Sequence, residues 1–285
     1  MPTFINQATL SYNDRVTNSN VVTGELIDVL SATKTAVSGT YGAGDTVTYI
    51  VSIVNSGTTA FTDLTVTDDL GAYEIGDPAV SVVPLTFVAG TLRYFVNGVL
   101  QATPTVADEN PLTITGITVP AGGNVQLIYD ALVGAGAPLG TGGSITNTAT
   151  ITGGGLAVPV AAEAVIEAVS EADLTISKAI CPAVVTENGQ LTYTFVIANH
   201  GNTPAVATDD VVVSDVFDPI LNPITVTFNG SVWAEGVNYT YDESTGVFTT
   251  LPGQITVPAA TYTQNEDGTW IVNPGTVILT VTGTV

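Results

Sequence analysis

Short alternating runs dominate this chain. Thr46-Val47-Thr48-Tyr49-Ile50-Val51 places an apolar side chain on every second position, and so do Leu64-Thr65-Val66-Thr67-Asp68 and Thr276-Val277-Ile278-Leu279-Thr280-Val281. A period of two marks a half-buried strand, and Gly, Asn, Asp and Pro punctuate the runs at short intervals. No long stretch has helical periodicity. The pattern predicts an all-β protein.

The alternation is organised as an internal repeat. Leu30-Ser31-Ala32-Thr33-Lys34, Gly44-Asp45-Thr46-Val47-Thr48-Tyr49 and Val54-Asn55-Ser56-Gly57 recur in order. Their copies are Leu174-Thr175-Ile176-Ser177-Lys178, Asn188-Gly189-Gln190-Leu191-Thr192-Tyr193 and Ala198-Asn199-His200-Gly201. Next, Leu64–Asp68 matches Val211–Asp215, and Phe95-Val96-Asn97-Gly98 matches Thr227-Phe228-Asn229-Gly230. Ile117–Ala121 matches Ile255–Ala259, and Gln126-Leu127-Ile128-Tyr129 is set against Val277-Ile278-Leu279-Thr280. Each unit reads as an immunoglobulin-like β-sandwich. The expected organisation is an N-terminal segment over 1–28, a first sandwich over 29–170 and a second over 171–285. The join near Ser170-Glu171-Ala172-Asp173 is short, which implies a rod with limited bending.

The repeats differ at their ends. Repeat one closes with a strand over Ile145–Ile151 and another near Val158–Ala168, whereas repeat two stops before either counterpart. Matching stretches stand at the N-terminus instead, as Phe4–Leu10 and Val21–Val29, joined by the turn-rich residues 13–20. A sandwich short of a strand exposes an apolar groove and unpaired backbone groups. Filling it with a strand from another chain is donor-strand complementation. Phe4, Ala8 and Leu10 are the side chains such a strand would insert. The simpler readings are a flexible tail, an extra strand on the chain's own first domain, or a reciprocal swapped dimer.

Strand parity also selects a chemistry. The two lysines, Lys34 and Lys178, occupy equivalent positions and share faces with Leu30, Ala32 and Ala36, and with Leu174, Ile176 and Ile180. Asp68 and Asp215 share faces with apolar neighbours, as does Asn147 with Ile145, Ala149 and Ile151, and Asn6 with Phe4, Ala8 and Leu10. Side chains two apart point the same way, so a Lys, an Asp and an Asn enter one core. Burial favours the neutral, nucleophilic amine and a protonated acid that can polarise an amide. This arrangement suits a spontaneous Lys–Asn isopeptide bond. Lys34, Asp68 and Asn147 would form it within the first domain, and Lys178, Asp215 and Asn6 between neighbouring chains. The plainer alternative is a buried ion pair with an amide hydrogen bond.

Read together, the lysine, Gly-Asp-Thr-Val-Thr-Tyr, Val-Asn-Ser-Gly and Ile-Thr-Asn-Thr-Ala segments resemble the "domain of unknown function eleven" repeats of bacterial surface proteins. The inward Lys/Asp/Asn set is similar to that of Gram-positive pilins and collagen-adhesin B-type domains, which form isopeptide bonds, often with Glu as the acid. The detached strand at a start without a signal pattern resembles self-assembling appendage subunits of spore-forming bacteria. These resemblances imply a structural, non-enzymatic filament subunit displayed outside the cell, on a cell or spore surface.

Composition narrows the partners. The chain has 285 residues, 26 of them Asp or Glu against 4 Lys or Arg, for a net charge of -22. Such a surface repels nucleic acid and anionic membranes, and no run approaches the ~18 apolar residues of a membrane span. The expected partner is a second copy of the chain, with an anchoring or capping protein at a fibre end. Met1-Pro2-Thr3 leads straight into a strand pattern, so the expectation is a removed leader or export without one. Cys181 stands alone, which excludes an internal disulfide framework, and reads as a small packed residue. His200, also alone, lies in a turn and builds no catalytic triad or metal cluster. No cofactor is expected. The acidic patches at Asp68-Asp69, Asp209-Asp210 and Glu266-Asp267 could meet calcium, but none has EF-hand spacing. The alternative function is an adhesin or carbohydrate-binding module with stalk-like domains; a hydrolase has no residues behind it.

Overall fold

The computed structural model describes residues 3–25 and 29–285, and the side chains of 5–24 and 29–285. Among these the chain is all-β, interrupted by a short 3-10 turn at Ala207–Asp209. No helix among them is long and apolar enough to cross a membrane.

The N-terminal segment folds back on itself. Thr3–Asn6 pairs antiparallel with Val22–Glu25, and Thr9–Tyr12 with Arg15–Asn18 around a turn at Asn13 and Asp14, both with positive φ. Among the described residues its hydrogen bonds are internal. Ile5, Leu10, Tyr12, Val16, Val21 and Val22 are all exposed. The expected strand over Val21–Val29 is seen as Val22–Glu25; residues 26–28 lie outside the described residues, as does the Phe4 side chain.

The first sandwich packs two six-stranded sheets. One orders Val99–Leu100, Arg93–Val96, Asn124–Val133, Thr46–Asn55 and Leu30–Ala36, with Leu85–Phe87 joined to Asn124–Val133. The other orders Thr105–Glu109, Leu112–Val119, Phe61–Asp68, Ser144–Gly153, Val160–Ala168 and Thr40–Tyr41. Alternate residues of Thr46–Asn55 and Asn124–Val133 bury Val47, Tyr49, Val51, Ile53, Val125, Leu127 and Tyr129 in one core. The hairpin Ser144–Gly153/Val160–Ala168 closes the sandwich. Its first strand pairs with Phe61–Asp68 and its second packs on Leu30–Ala36.

The second sandwich repeats the plan without that hairpin. Its larger sheet orders Leu174–Cys181, Gln190–Asn199, Gly275–Thr284, Ile224–Phe228 and Ser231–Trp233, facing a three-stranded sheet of Ser214–Val216, Val247–Thr250 and Tyr239–Asp242. A separate core holds Leu191, Phe195, Phe217, Phe248 and Leu279. The repeated turns match in detail. Asn55 and Asn199, both fully buried, donate to Thr59 O and Thr203 O and accept the N–H of Gly57 and Gly201.

Sheet register corrects one sequence match. Lys34, Val51 and Leu127 lie opposite one another in a row, as do Lys178, Phe195 and Leu279. Leu127 therefore corresponds to Leu279 rather than Ile278, and Tyr129 to Val281 rather than Thr280. A slip of one residue turns every side chain to the other face, so the correction changes which residues meet the lysines.

The domains are stapled at their joint. Asn202 donates to Leu139 O and Val169 O, and Thr141 donates to Asn202 O. The hairpin Thr261–Gln264/Trp270–Asn273 has only the turn Ala121-Gly122-Gly123 at its place in the first domain. It reaches back so that Trp270 N–H donates to Ala135 O, and Gln264 and Trp270 side chains donate to the Tyr73 hydroxyl.

Candidate functional site

In the first domain the lysine strand Leu30–Ala36 delivers Lys34 into the core, where its side chain is 0% exposed. Its Nζ donates to Asp68 Oδ2 at 2.5 Å. The other carboxylate oxygen accepts the Leu70 N–H at 3.1 Å. Burial holds the Lys34 amine below its ordinary value, against the opposing pull of Asp68 and Asp69. That shift favours the neutral amine, the form that attacks a carbonyl carbon.

Asn147 enters from the closing hairpin. Ala149 lies opposite Asp68, so Asn147, two residues along on the same face, is the next inward side chain beside the acid. Asn147 is fully buried, and neither its amide nitrogen nor its oxygen makes a hydrogen bond. A buried amide ordinarily finds partners, and leaving one unmet costs about 1–3 kcal/mol. The fold has brought Lys34, Asp68 and Asn147 to one apolar pocket and left the amide unengaged.

Two tyrosines complete the pocket. Tyr129 donates to Asp68 Oδ2, the oxygen that also takes Lys34. The Lys34 Nζ lies 4.9 Å from the centre of the Tyr49 ring, and the Tyr49 hydroxyl has no hydrogen-bond partner. Burial pushes both phenols well above their ordinary range, and the Asn147 amide beside them draws each back without completing a hydrogen bond to either. Sequence reasoning passed over both residues. Parity could have found them, since Tyr49 shares a face with Val47 and Val51, and Tyr129 with Leu127 and Ala131.

The second site is open. Lys178 pairs with Asp215 Oδ2 off the line of a hydrogen bond, and its side chain is 40% exposed. Its Nζ lies over the rings of Tyr193, Phe195 and Phe217 at 4.3 to 5.7 Å. Lys178 was expected to face a core, and it does face the aromatic side, but no described residue closes over it. Ile176 is 57% exposed and Ile180 47%. Cys181, expected to be packed, is exposed because it lies on the face of the strand opposite to Lys178, and the matching Val37 of the first domain is exposed too. The free edge of Ser214–Val216 is where the closing hairpin pairs in the first domain. Between the residues leading into that strand and Leu174–Cys181 runs a cleft of about 170 Å³, lined by Leu174, Ile176, Ile197, Val211 and Val213.

Asn6 is not at this site within one chain. It is exposed in the N-terminal hairpin, opposite Val22, and Ala8 and Leu10 are exposed with it. Asn147 pairs with Ala164 in the equivalent way in the closing hairpin. The acidic patches serve as local caps: Asp69 Oδ1 accepts from Gly71 and Thr148, Asp209 from Val206, and Asp267 from Thr269. Among the described residues, no group of three or more His, Cys, Asp or Glu is placed to hold a metal ion.

No protein-family model matches the chain, and no curated protein sequence matches it either. Solved structures do match. The pilus backbone of Streptococcus pneumoniae is 12% identical, covering 86% of this chain and 55% of its own, with a TM-score of 0.34. This chain thus spans little more than half the length of that protein. The major pilin subunit of Bacillus cereus is 15% identical over 96% of this chain and 73% of its own, at a TM-score of 0.35. The collagen-binding domain of a Staphylococcus aureus adhesin is 15% identical over 49% of this chain and 99% of its own, at a TM-score of 0.30. The likeness is one of β-sandwich build.

Proposed function

We propose that the chain is a structural subunit of an extracellular filament that assembles head to tail by donor-strand complementation and is locked by Lys–Asn isopeptide bonds. The N-terminal hairpin of one copy takes the place in the second sandwich of its neighbour that Ser144–Gly153/Val160–Ala168 takes in the first. One observation carries this reading: the lysine strand Leu174–Cys181 lies uncovered while its twin Leu30–Ala36 is covered, and the missing cover is patterned at the other end of the chain. The contact is heterologous, and such a contact propagates into a filament when its rotation does not close a ring.

Seating the strand is favourable before any bond forms. Burying Leu10 contributes ~1.5–3 kcal/mol. A ladder of about ten backbone hydrogen bonds adds roughly 0.5–1.5 kcal/mol apiece. Association and ordering cost about 4–15 kcal/mol, so the balance favours the joined state by a modest margin. The bond then removes the reverse reaction. Lys34 joins Asn147 inside the first domain, and Lys178 joins Asn6 of the neighbour, with Asp68 and Asp215 as the respective acids.

The test is electrophoresis after boiling in detergent, with Asn6→Ala and Lys178→Ala variants alongside. The expected result is a ladder of multimers in the parent and none in either variant. A lone monomer band from protein that forms filaments before boiling would keep strand exchange and discard the intersubunit bond. Monomers under both conditions would point to the adhesin-like module instead.

A further inference from the structure

The two lysine sites hold their acids differently. In the first domain the Asp68 carboxyl is gripped at both oxygens, by the Leu70 N–H on one and by Lys34 and Tyr129 on the other. Tyr129 is itself held, stacked on Tyr49 with ring centroids 5.9 Å apart and set edge-on to Phe87 at 6.2 Å. It lies directly opposite Tyr49 across the two central strands. In the second domain the residue directly opposite Tyr193 is Val281, which has no hydroxyl to offer. Asp215 Oδ1 takes the Val216 N–H, and Oδ2 has no hydrogen bond. Phe217 stands where the first domain has Leu70 and stacks on Tyr193 at 4.8 Å, and the Tyr193 hydroxyl turns away to Asp218 O.

On the reading that both sites form Lys–Asn bonds, we propose that Tyr129 is a positioning residue that makes the first domain's bond fast, and that Val281 in its place makes the intersubunit bond the slow one. In the reaction the neutral lysine nitrogen bonds to the side-chain carbonyl carbon of the asparagine. A lysine proton passes by way of the aspartate to the amide nitrogen, the carbon–nitrogen bond of the amide breaks, and ammonia leaves. No oxidant or energy source enters. The aspartate must face the amine at the start and the departing nitrogen at the end, so a carboxyl fixed between them shortens the search for the reactive geometry. Tyr129 fixes Asp68 in this way; Asp215 has only its own neighbouring N–H and an exposed lysine.

The difference suits the two tasks. Asn147 is tethered in register by its own hairpin, so speed there carries no risk. An incoming strand can seat one residue out of register, which turns its asparagine away from the lysine. A slow bond lets such a strand leave before anything is made permanent.

The experiment is a time course. The full chain is synthesised in a short pulse, samples are boiled in detergent at intervals, and the cross-linked Lys34–Asn147 peptide is measured by mass against its free halves. Tyr129→Phe keeps the ring and removes the hydroxyl; it should slow cross-linking roughly ten- to a hundredfold. The reciprocal change, Val281→Tyr with Phe217→Leu, rebuilds the first domain's set in the second. It should speed growth of the boiled ladder by a similar factor, which a merely structural tyrosine would not do. This second arm carries the test alone if Tyr129→Phe does not fold. An unchanged cross-linking rate in Tyr129→Phe, or a ladder that grows no faster in the rebuilt chain, overturns the proposal. A parent with neither cross-linked peptide nor ladder shows instead that the Lys–Asn reading has failed, and this proposal falls with it.

Discussion

Lys34 and Lys178 occupy one position in two copies of the same strand, yet one is sealed in a core and the other is 40% open to water. The strands around them are closely alike. Both lysines face the second strand of their sheet, both lie over a tyrosine, and both meet an aspartate. The difference comes from a hairpin more than a hundred residues away in sequence, present in the first domain and absent from the second. Burial of a reactive group is thus a property of the completed sandwich rather than of the strand that carries it. The second domain holds a like set of residues in a site that stays open to water.

The strongest way to break this comparison is to remove each aspartate in turn. Asp68→Ala strands a buried amine, which costs about 3–5 kcal/mol in measured buried pairs. Where it also prevents the bond, it forfeits a cross-link closing a loop of ~100 residues, worth about 4–5 kcal/mol on chain-entropy grounds. Asp215→Ala touches a partly exposed pair and should cost only ~0–1 kcal/mol in the unassembled chain. Denaturant unfolding of both variants measures the gap. Equal losses would mean that the second site is already closed in solution.

A smaller effect should come from completing the second domain artificially. A peptide of residues 3–25, added to a chain beginning at residue 29, should raise the stability of the second sandwich and leave the first unchanged. At a hundredfold excess over its dissociation constant the gain is about 2.7 kcal/mol. Thermal melts at several peptide concentrations, with Lys178→Ala as a control against covalent capture, read it directly. A peptide that stabilises neither domain, or both alike, does not fit the open groove.

The joint sharpens the comparison at the next level down. Tyr73 accepts from Gln264 and Trp270 of the second domain and donates to Gly136 O of the first. Tyr73→Phe should weaken the coupling between domains by about 1–3 kcal/mol, seen as two separated melting transitions where the parent has one. Coincident transitions in both proteins would show that the hairpin contact is not what couples them.

Much of this was legible because alternation is a strong signal and the repeat doubles it. Lys34 and Asp68 could be placed together from parity alone, and the buried turns at Asn55 and Asn199 sit where the repeat puts them. Register was harder. Gln126–Tyr129 and Val277–Thr280 align without a gap, but the strands pair one residue further on, since alternating Val, Leu and Thr accept either parity. That slip hid Val281 behind Thr280, and with it the lack of a hydroxyl there to reach Asp215. Cys181 is exposed because it falls one residue out of step with Lys178 and Ile180, on the outward face that strand parity already assigns to it. The reach of Thr261–Gln264/Trp270–Asn273 onto Tyr73 is a contact between domains, and no period within either repeat encodes it.

The gentlest probe is pH, and it separates burial from chemistry. Burial depresses the Lys34 amine in the folded first domain, whereas the unfolded amine titrates near its ordinary 10.5. Between those values the unfolded chain holds the extra proton, so stability rises with pH across the window and is lost as pH falls through the folded value. The effect requires a free amine. Asn147→Ala leaves Lys34 nothing to join, so that variant should gain stability as the buffer is raised from about pH 7 toward pH 9.5. With the proposed bond formed, the parent's lysine nitrogen is an amide that carries no titrating proton, and this rise should be missing. Above about pH 10 the sign turns in both proteins: burial holds Tyr49 and Tyr129 above their ordinary value, so the unfolded phenols lose protons first and stability falls as pH climbs. Denaturant titrations across the range compare the two curves. A parent that rises with the variant still has a free Lys34, and the bond in the first domain would then be ruled out.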